Sequence, residues 1–411
     1  MPHNHAPSAQ PRVAVTGLGA ISSLGDGVPA LWSSILEGEV GIGPIANIAT
    51  DRLNVKIAAE VRDFDPSQHF DRRKIPMLDR AAQFALVAAR EAIADATISF
   101  DDHPSRCGVI LGATGCWDAV DNAYNEFYGR HAARLQPLTV PRIMANAPVS
   151  HITMEQGIRG PAFTVSSACA SANHAIGLAF ELIRSGALDA AVTGGSDASI
   201  FPGFLKGWDA LRVLSPDACR PFSKNRNGLV IGEGAGILVL ENMEIARARG
   251  ATIHAELIGF GMNADGIDLA APSVDSIARA MEASLRSAGL SPSDIDYVNA
   301  HGTGTRLNDS VEVAALRKAF GNRLASVAIS STKSMLGHTL AAAGALELIA
   351  TIRALEESVL PPTMNLDELD PECDVDVVPN QARPAAIDIA MSNSFAFGGL
   401  NAVLIVRKSV Q

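Results

Sequence analysis

Aromatic residues are scarce, at 5% of the chain, so a core built from stacked rings is excluded and close packing must come from small side chains. Abundant alanine and 35 glycines supply that packing and point to helices set tightly against sheets. Basic residues are outnumbered, 33 Lys and Arg against 44 Asp and Glu, for a net charge of −11. That sign excludes a general nucleic-acid binder. No apolar run reaches membrane-spanning length before Gly, Ser or a charge interrupts it. The opening Met1-Pro2-His3-Asn4-His5-Ala6-Pro7 has no apolar stretch of the signal-peptide kind, and 1–10 reads as a flexible tail. Cysteine is limited to Cys107, Cys116, Cys169, Cys219 and Cys373, an odd number without the spacing of a zinc or disulfide framework. A reducing, cytoplasmic compartment is expected, and Cys107, beside an apolar run, reads as core filler.

What is present is an alternation. Strand-like runs recur beside glycines at 13–19, 109–112, 190–195, 236–240 and 255–261, separated by Ala-rich amphipathic stretches at 79–96, 175–185 and 276–288. This predicts an α/β protein with helices packed on sheets. The chain also echoes itself. Val15-Thr16-Gly17-Leu18-Gly19-Ala20 resembles Leu257-Ile258-Gly259-Phe260-Gly261-Met262. Ser166-Ser167-Ala168-Cys169 with Asn173-His174 resembles Ser330-Ser331-Thr332-Lys333 with Gly337-His338 at the same offset. An internal duplication is expected, with an insertion over roughly 42–144 because the first pair of signatures is further apart. Gly17-Leu18-Gly19 is not a dinucleotide fingerprint, since its third glycine and the acidic residue of a second strand are missing.

Three segments carry chemistry. Cys169 follows the apolar run in Phe163-Thr164-Val165-Ser166-Ser167-Ala168-Cys169 and opens a helix, where free N–H groups and the helix dipole favour a thiolate. His301 and His338 lie in His301-Gly302-Thr303-Gly304-Thr305 and Lys333-Ser334-Met335-Leu336-Gly337-His338, each at a turn after a strand-like run. One cysteine and two histidines so placed point to covalent acyl chemistry.

Taken with Arg220-Pro221-Phe222, Gly232-Glu233-Gly234-Ala235-Gly236 and Asn393-Ser394-Phe395-Ala396-Phe397-Gly398-Gly399, these motifs make the chain resemble the β-ketoacyl-acyl-carrier-protein synthases of the elongating, two-histidine type. The resemblance runs from about residue 12 to 408. It implies a thiolase-type fold of two duplicated halves giving a layered α-β-α-β-α architecture. Residues 11–254 would hold the nucleophile and an inserted cap and dimer region, and 255–411 both catalytic histidines. It further implies a decarboxylative Claisen condensation with malonyl carrier protein. Cys169 would carry the growing chain, His301 and His338 would stabilise the enolate, and the N–H groups of Cys169 and Phe397 would hold the oxyanion. Lys333, at the repeat position of Cys169, would tune the site or form a buried pair with Glu312. Asp309 and Glu312 would hold the His301 loop, and His174 would pack.

The resemblance implies no required cofactor, since phosphopantetheine arrives on the acyl carrier protein. A monovalent cation near Asn299, Glu347 and Asn393 is one reading of those residues, and a hydrogen-bonded loop anchor is the other. The partners implied are acyl carrier protein and a second copy or related subunit, giving a homodimer or heterodimer, with no nucleic acid and no membrane. An acidic carrier calls for a basic patch. Its candidates are Arg72, Arg73, Lys74 and Arg80, together with Arg212, Arg220, Lys224 and Arg226. Gly115, Trp208 and Phe395 are expected to line the acyl pocket, with Gly115 where a bulky aliphatic residue often limits chain length. Ala396, Leu400 and Gly112-Ala113-Thr114-Gly115-Cys116-Trp117 depart from the common pattern and are similar to the branch with nodulation and polyene-forming ketosynthases. A thiolase would need a second cysteine near Asn393, and a starter-unit ketosynthase an asparagine at His338. A non-catalytic chain-length subunit would lack Cys169, whereas the catalytic half of such a pair would retain it.

Overall fold

The computed structural model describes residues 10–409; the N-terminal tail with His3 and His5 lies outside the described residues. Ten principal strands form a sheet whose order repeats itself. The first five are β1 (Val13–Ser22), β2 (Cys107–Gly112), β3 (Ala162–Val165), β4 (Ala190–Asp197) and β5 (Gly234–Asn242). The second five are β6 (Ala255–Ala264), β7 (Tyr297–Asn299), β8 (Ala328–Ser330), β9 (Ile389–Ala396) and β10 (Leu400–Lys408). Across the sheet they run β3-β2-β4-β5-β1 and then β6-β10-β9-β7-β8. In each set the second, third and fourth strands pair in parallel, and the fifth is antiparallel to the first and fourth. The sets join where Val13, Ala14 and Val15 of β1 face Leu257, Glu256 and Ala255 of β6.

Helices α1 (Arg80–Ala96), α2 (Ser171–Arg184), α3 (Val274–Ala288), α4 (Arg306–Phe320) and α5 (Ala343–Glu357) complete the layers. Outer helix α1 packs on β1, β4 and β5, while α3 packs on β6 and β10 with α4 beside it. Central helices α2 and α5 each touch strands of both sets. The layers are α-β-α-β-α, as expected of a thiolase-type fold.

The echoing glycines explain the outer layers. A Cβ added at Gly17 or Gly19 would lie 2.0 Å from a backbone oxygen of α1, that of Ala92 or Ala88. One at Gly259 or Gly261 would lie 2.6 or 2.3 Å from the oxygen of Ser284 or Ala280 in α3. Both first strands therefore use a Gly-x-Gly pair to bring a helix backbone against the sheet, with small residues filling the seam. Helix α1 starts at Asp79, whose carboxylate accepts from the Ala81 N–H at 2.9 Å, and that cap satisfies one free donor of its first turn.

The expectation of one insertion over 42–144 is corrected. Helix α1 and strand β2 fall inside that range yet are the counterparts of α3 and β7. Within that range the extra chain comes in two pieces, one before α1 and one between β2 and β3, and a further piece lies outside it, between β4 and β5. Residue spacing between two motifs measures total length and is blind to repeat elements lying inside it. The second piece, with helices Trp117–Tyr124 and Thr139–Ile143, leaves Tyr124, Phe127, Tyr128 and Val140 exposed. Near the join of the halves, His254 bridges Glu356 at 2.7 Å and Asp95 at 2.8 Å. Those carboxylates outweigh its burial and raise its pKa to about 9.

Candidate active site

The third strand of each set ends at the site. After β3 the chain turns through Ala168, whose φ of 47° is a strained value for a residue with a side chain, and Cys169 emerges just ahead of α2. After β8 it turns into the short helix Lys333–Leu336. Cys169 and Lys333 thus occupy topologically equivalent turns. Cys169 is buried, and its sulfur lines a cavity of about 260 Å³ together with His301, His338, Phe395 and Phe397. Burial pushes the thiol up to about 11, against the lowering influence of Lys333 and of the Cys169 and Phe397 N–H groups directed at the sulfur. Desolvation therefore opposes the expected thiolate, while the helix dipole and the Lys333 charge favour it.

His301 follows β7. Its N–H and that of Gly302 each donate to Glu312 at 2.8 Å, and Asn393 donates to the same carboxylate at 3.1 Å. Asp309 accepts from the N–H of Phe222 at 2.9 Å and of Gly304 at 3.2 Å. Both carboxylates lie in the first two turns of α4 and clamp the loop that presents His301. His338 is pinned by its own N–H to the Val230 oxygen at 2.7 Å and by its carbonyl to the Gly232 N–H at 2.9 Å. The two imidazoles meet edge to face, with centroids 5.4 Å apart.

The tautomer of His338 is dictated by its surroundings. Its Nδ1 accepts the Leu340 N–H at 3.2 Å, so the neutral ring carries its proton on Nε2. That Nε2 is buried without a partner among the described residues, as is Nδ1 of His301. Burial, then the Lys333 charge, hold both rings well below the ordinary 6.5, and His338 lowers His301 further. Both imidazoles are neutral at neutral pH.

Lys333 does not pair with Glu312. Its ammonium bonds Glu347 of α5, with both side chains buried. Glu312 is already committed to two backbone donors and Asn393, whereas Glu347, pushed up to about 7 by burial, faces Lys333 directly. The second oxygen of Glu347 and the side-chain oxygens of Asn299 and Asn393 are buried acceptors with no donor among the described residues. His174 bonds Ser167 at 2.8 Å and packs edge to face on Phe260.

Phe397 sits in a three-residue hairpin turn between β9 and β10, where Gly398 and Gly399 adopt φ of 84° and 68°. Sequence reasoning missed what grips this turn. The Gly398 N–H bonds the Leu269 oxygen at 2.7 Å, the Asp265 N–H bonds the Gly399 oxygen at 2.8 Å, and Asn401 bonds Asp265 at 2.7 Å. No motif marks Asp265, which earns its place only through the fold.

Trp208 and Phe395 line the cavity as expected; Gly115 does not. The space a side chain at 115 would take is filled by the Trp117 ring, 2.9 to 3.2 Å from an added Cβ. Of the basic candidates, Arg72, Arg73 and Arg212 are exposed, and Arg212 adjoins the cavity-lining Leu211 and Val213. Lys224 is exposed too, in a solvent-facing pair with Glu368. Arg226 is corrected, being buried against Asp309 and Asp370. Arg80 is tied to Glu233, Lys74 shares Glu155 with Arg90, and Arg220 pairs with Asp217.

A buried thiol at a strained turn, two backbone N–H groups at its sulfur and two neutral imidazoles in one cavity define a condensing acyltransferase on the thiolase fold. Known proteins similar to this chain belong to the same class. Beta-ketoacyl synthase, N-terminal domain, matches residues 10–246, and its C-terminal domain matches 254–367. Nodulation protein E of Rhizobium sp. (strain N33) is 46% identical, with 97% of this chain and 99% of the relative aligned. The 3-oxoacyl-[acyl-carrier-protein] synthase 2 of Staphylococcus aureus (strain N315) is 40% identical over 98% of this chain and 99% of its own. Among solved structures, the ishigamide ketosynthase/chain length factor superposes with a TM-score of 0.93 at 39% identity, covering 98% of this chain and 100% of that one. A beta-ketoacyl synthase from Burkholderia phymatum STM815 gives 0.90 at 34%, covering 97% and 100%. The chain belongs to the β-ketoacyl synthase family and is an acyltransferase.

Proposed function

We propose that this protein elongates an acyl chain by two carbons through decarboxylative condensation with malonyl carrier protein, in fatty-acid or polyketide assembly. The observation that carries this reading is the shared cavity, where the sulfur faces two N–H donors and His338 presents a fixed Nε2–H. The Cys169 sulfur attacks the carrier-bound thioester, and the N–H groups of Cys169 and Phe397 hold the oxyanion. The thiol proton passes to His301, whose ring has no donor fixing its tautomer, and then to the departing carrier thiol. Malonyl thioester next loses carbon dioxide, and its electron pair becomes an enolate whose oxygen accepts from His338 Nε2–H. The new carbanion attacks the acyl-cysteine, the carbon–sulfur bond breaks, and Cys169 leaves as thiolate and takes up a proton from solvent to restore the thiol. Lys333 acts as positive charge behind all three groups, positioned by Glu347. The reaction draws on phosphopantetheine delivered by the carrier. Asn299, Glu347 and Asn393 would hold a monovalent cation, whose charge would neutralise the unpaired acceptor oxygens there.

Because both histidines are held below 6.5, malonyl decarboxylation should stay flat between about pH 6 and about pH 8, and His338→Ala should lower it by about a hundredfold. A wild-type rate rising through a group near 6.5 would contradict the neutral-imidazole mechanism.

The carrier protein docks beside the exposed Arg72, Arg73 and Arg212. Reversing Arg72 and Arg73 to Glu should raise KM for carrier-borne substrate about tenfold and leave kcat unchanged; an unchanged KM would remove these residues from the docking face. The partner subunit is a second copy or a related chain, in the latter case making this the catalytic half of a pair, as in the ishigamide ketosynthase/chain length factor. No helix among the described residues is long and apolar enough to cross a membrane, and all five cysteines are free, which supports a reducing, cytoplasmic setting.

A further inference from the structure

Strand β4 ends on a buried carboxylate. Asp197 is fully enclosed, and its oxygens accept the hydroxyls of Ser199 and of Thr114, the latter at 2.7 Å. Thr114 in turn accepts the Trp117 indole N–H at 3.1 Å. A third donor to Asp197 is the Ala341 N–H, at 3.4 Å. Two residues back, on the same face of the strand, a Cβ at Gly195 would lie 2.3 Å from the Ala341 oxygen. The end of β4 thus seats Ala341 twice: Gly195 admits its carbonyl, and Asp197 accepts its N–H.

Ala341 is the middle of the single buried turn Leu340–Ala342. Leu340 enters that turn with φ of 50°, a left-handed value that a residue with a side chain holds only where its surroundings over-determine it. The same conformation aims the Leu340 N–H at His338 Nδ1, 3.2 Å away. Asp197 does not line the cavity, so it reaches the chemistry only through this turn.

We propose that Asp197 is a positioning residue that holds the Leu340 turn and thereby fixes the tautomer in which His338 presents its Nε2–H. This rests on the reading of His338 as the donor to the enolate. Without the carboxylate, the Ala341 N–H loses its acceptor and Leu340 relaxes toward negative φ, which swings its N–H off Nδ1. The neutral ring is then free to carry its proton on Nδ1, and its Nε2 becomes an acceptor that cannot hold an enolate oxygen. The N–H groups at the Cys169 sulfur do not depend on this turn, since the Phe397 hairpin is gripped by Leu269 and Asp265.

The test measures the two half-reactions separately on the full-length protein: decarboxylation of malonyl carrier protein, and acylation of Cys169 by intact mass. Asp197→Ala should lower decarboxylation about tenfold, the effect of one ordinary hydrogen bond, and acylation by no more than about twofold. Asp197→Asn keeps an acceptor for Ala341 and should restore decarboxylation to within about threefold of wild type. Asp197→Ser keeps a hydroxyl for Thr114 and Ser199 but is too short for Ala341. It should show the same split as alanine and guards against a folding defect there. Ring-nitrogen NMR of histidine-labelled protein should show His338 protonated on Nε2 in wild type and partly on Nδ1 in the alanine and serine variants. Equal losses in both half-reactions, or an unchanged tautomer in both variants, overturn the positioning role. Decarboxylation by His338→Ala as fast as by wild type instead overturns the reading of His338 on which it rests.

Discussion

Cys169→Ala should carry no acyl mass after incubation with acyl carrier proteins, and condensation should fall by about a thousandfold or more. The reason is positional. The alternative thiols are buried away from the cavity: Cys116 bonds the Met144 oxygen, Cys219 bonds the Thr303 oxygen, and Cys107 and Cys373 belong to the core. None of them lines the cavity with the histidines. Intact mass measured beside the wild type decides the matter. Acyl mass on the alanine variant would mean that another group takes the chain. The pH dependence adds a second reading, because the buried thiol with its pKa near 11 should react with a small alkylating agent faster as pH rises through the alkaline range. A rate already at its plateau near neutrality would show a stabilised thiolate at rest.

Lys333→Ala should destabilise the protein by about 3–5 kcal/mol, because it strands Glu347 in the core without its cation. The pair is enclosed on all sides, with side chains 1% and 2% exposed. Replacing both partners, Lys333→Met with Glu347→Leu, should recover most of that loss, since apolar groups of similar volume carry no uncompensated charge. Activity should not return with stability. Without the ammonium, the thiol and both imidazoles lose a nearby positive charge that lowers all three pKa values. Thermal unfolding and condensation rate measured on both variants separate the two effects. Equal instability in the single and double variants would remove the stranded-charge explanation.

That Cys169, His301 and His338 belong to one site was legible in sequence because each sits in a short local signature whose chemistry is readable without its neighbours. The repeat was legible for the same reason, and the glycine pairs of β1 and β6 show what it encodes, a helix backbone pressed on a strand. Long-range choices were not legible. Glu312 and Glu347 are both acidic residues near histidine motifs, and only the face that α5 turns toward Lys333 selects between them. Clustered Arg and Lys advertise charge, but Arg226 reads like its exposed neighbours until Asp309 and Asp370 enclose it. Gly115 was visible as a missing side chain; that Trp117 folds back into the gap depends on a loop conformation fixed by Thr114 and Asp197.

The equivalent turns after β3 and β8 carry a wider consequence. Two identical chains related by symmetry would be obliged to place the same residue at both turns, sulfur facing sulfur or cation facing cation. A single polypeptide containing both copies is released from that obligation. One turn carries the thiol at the cavity, the other an ammonium near it, and the asymmetry that the proposed chemistry requires is written into a scaffold that is otherwise nearly symmetric.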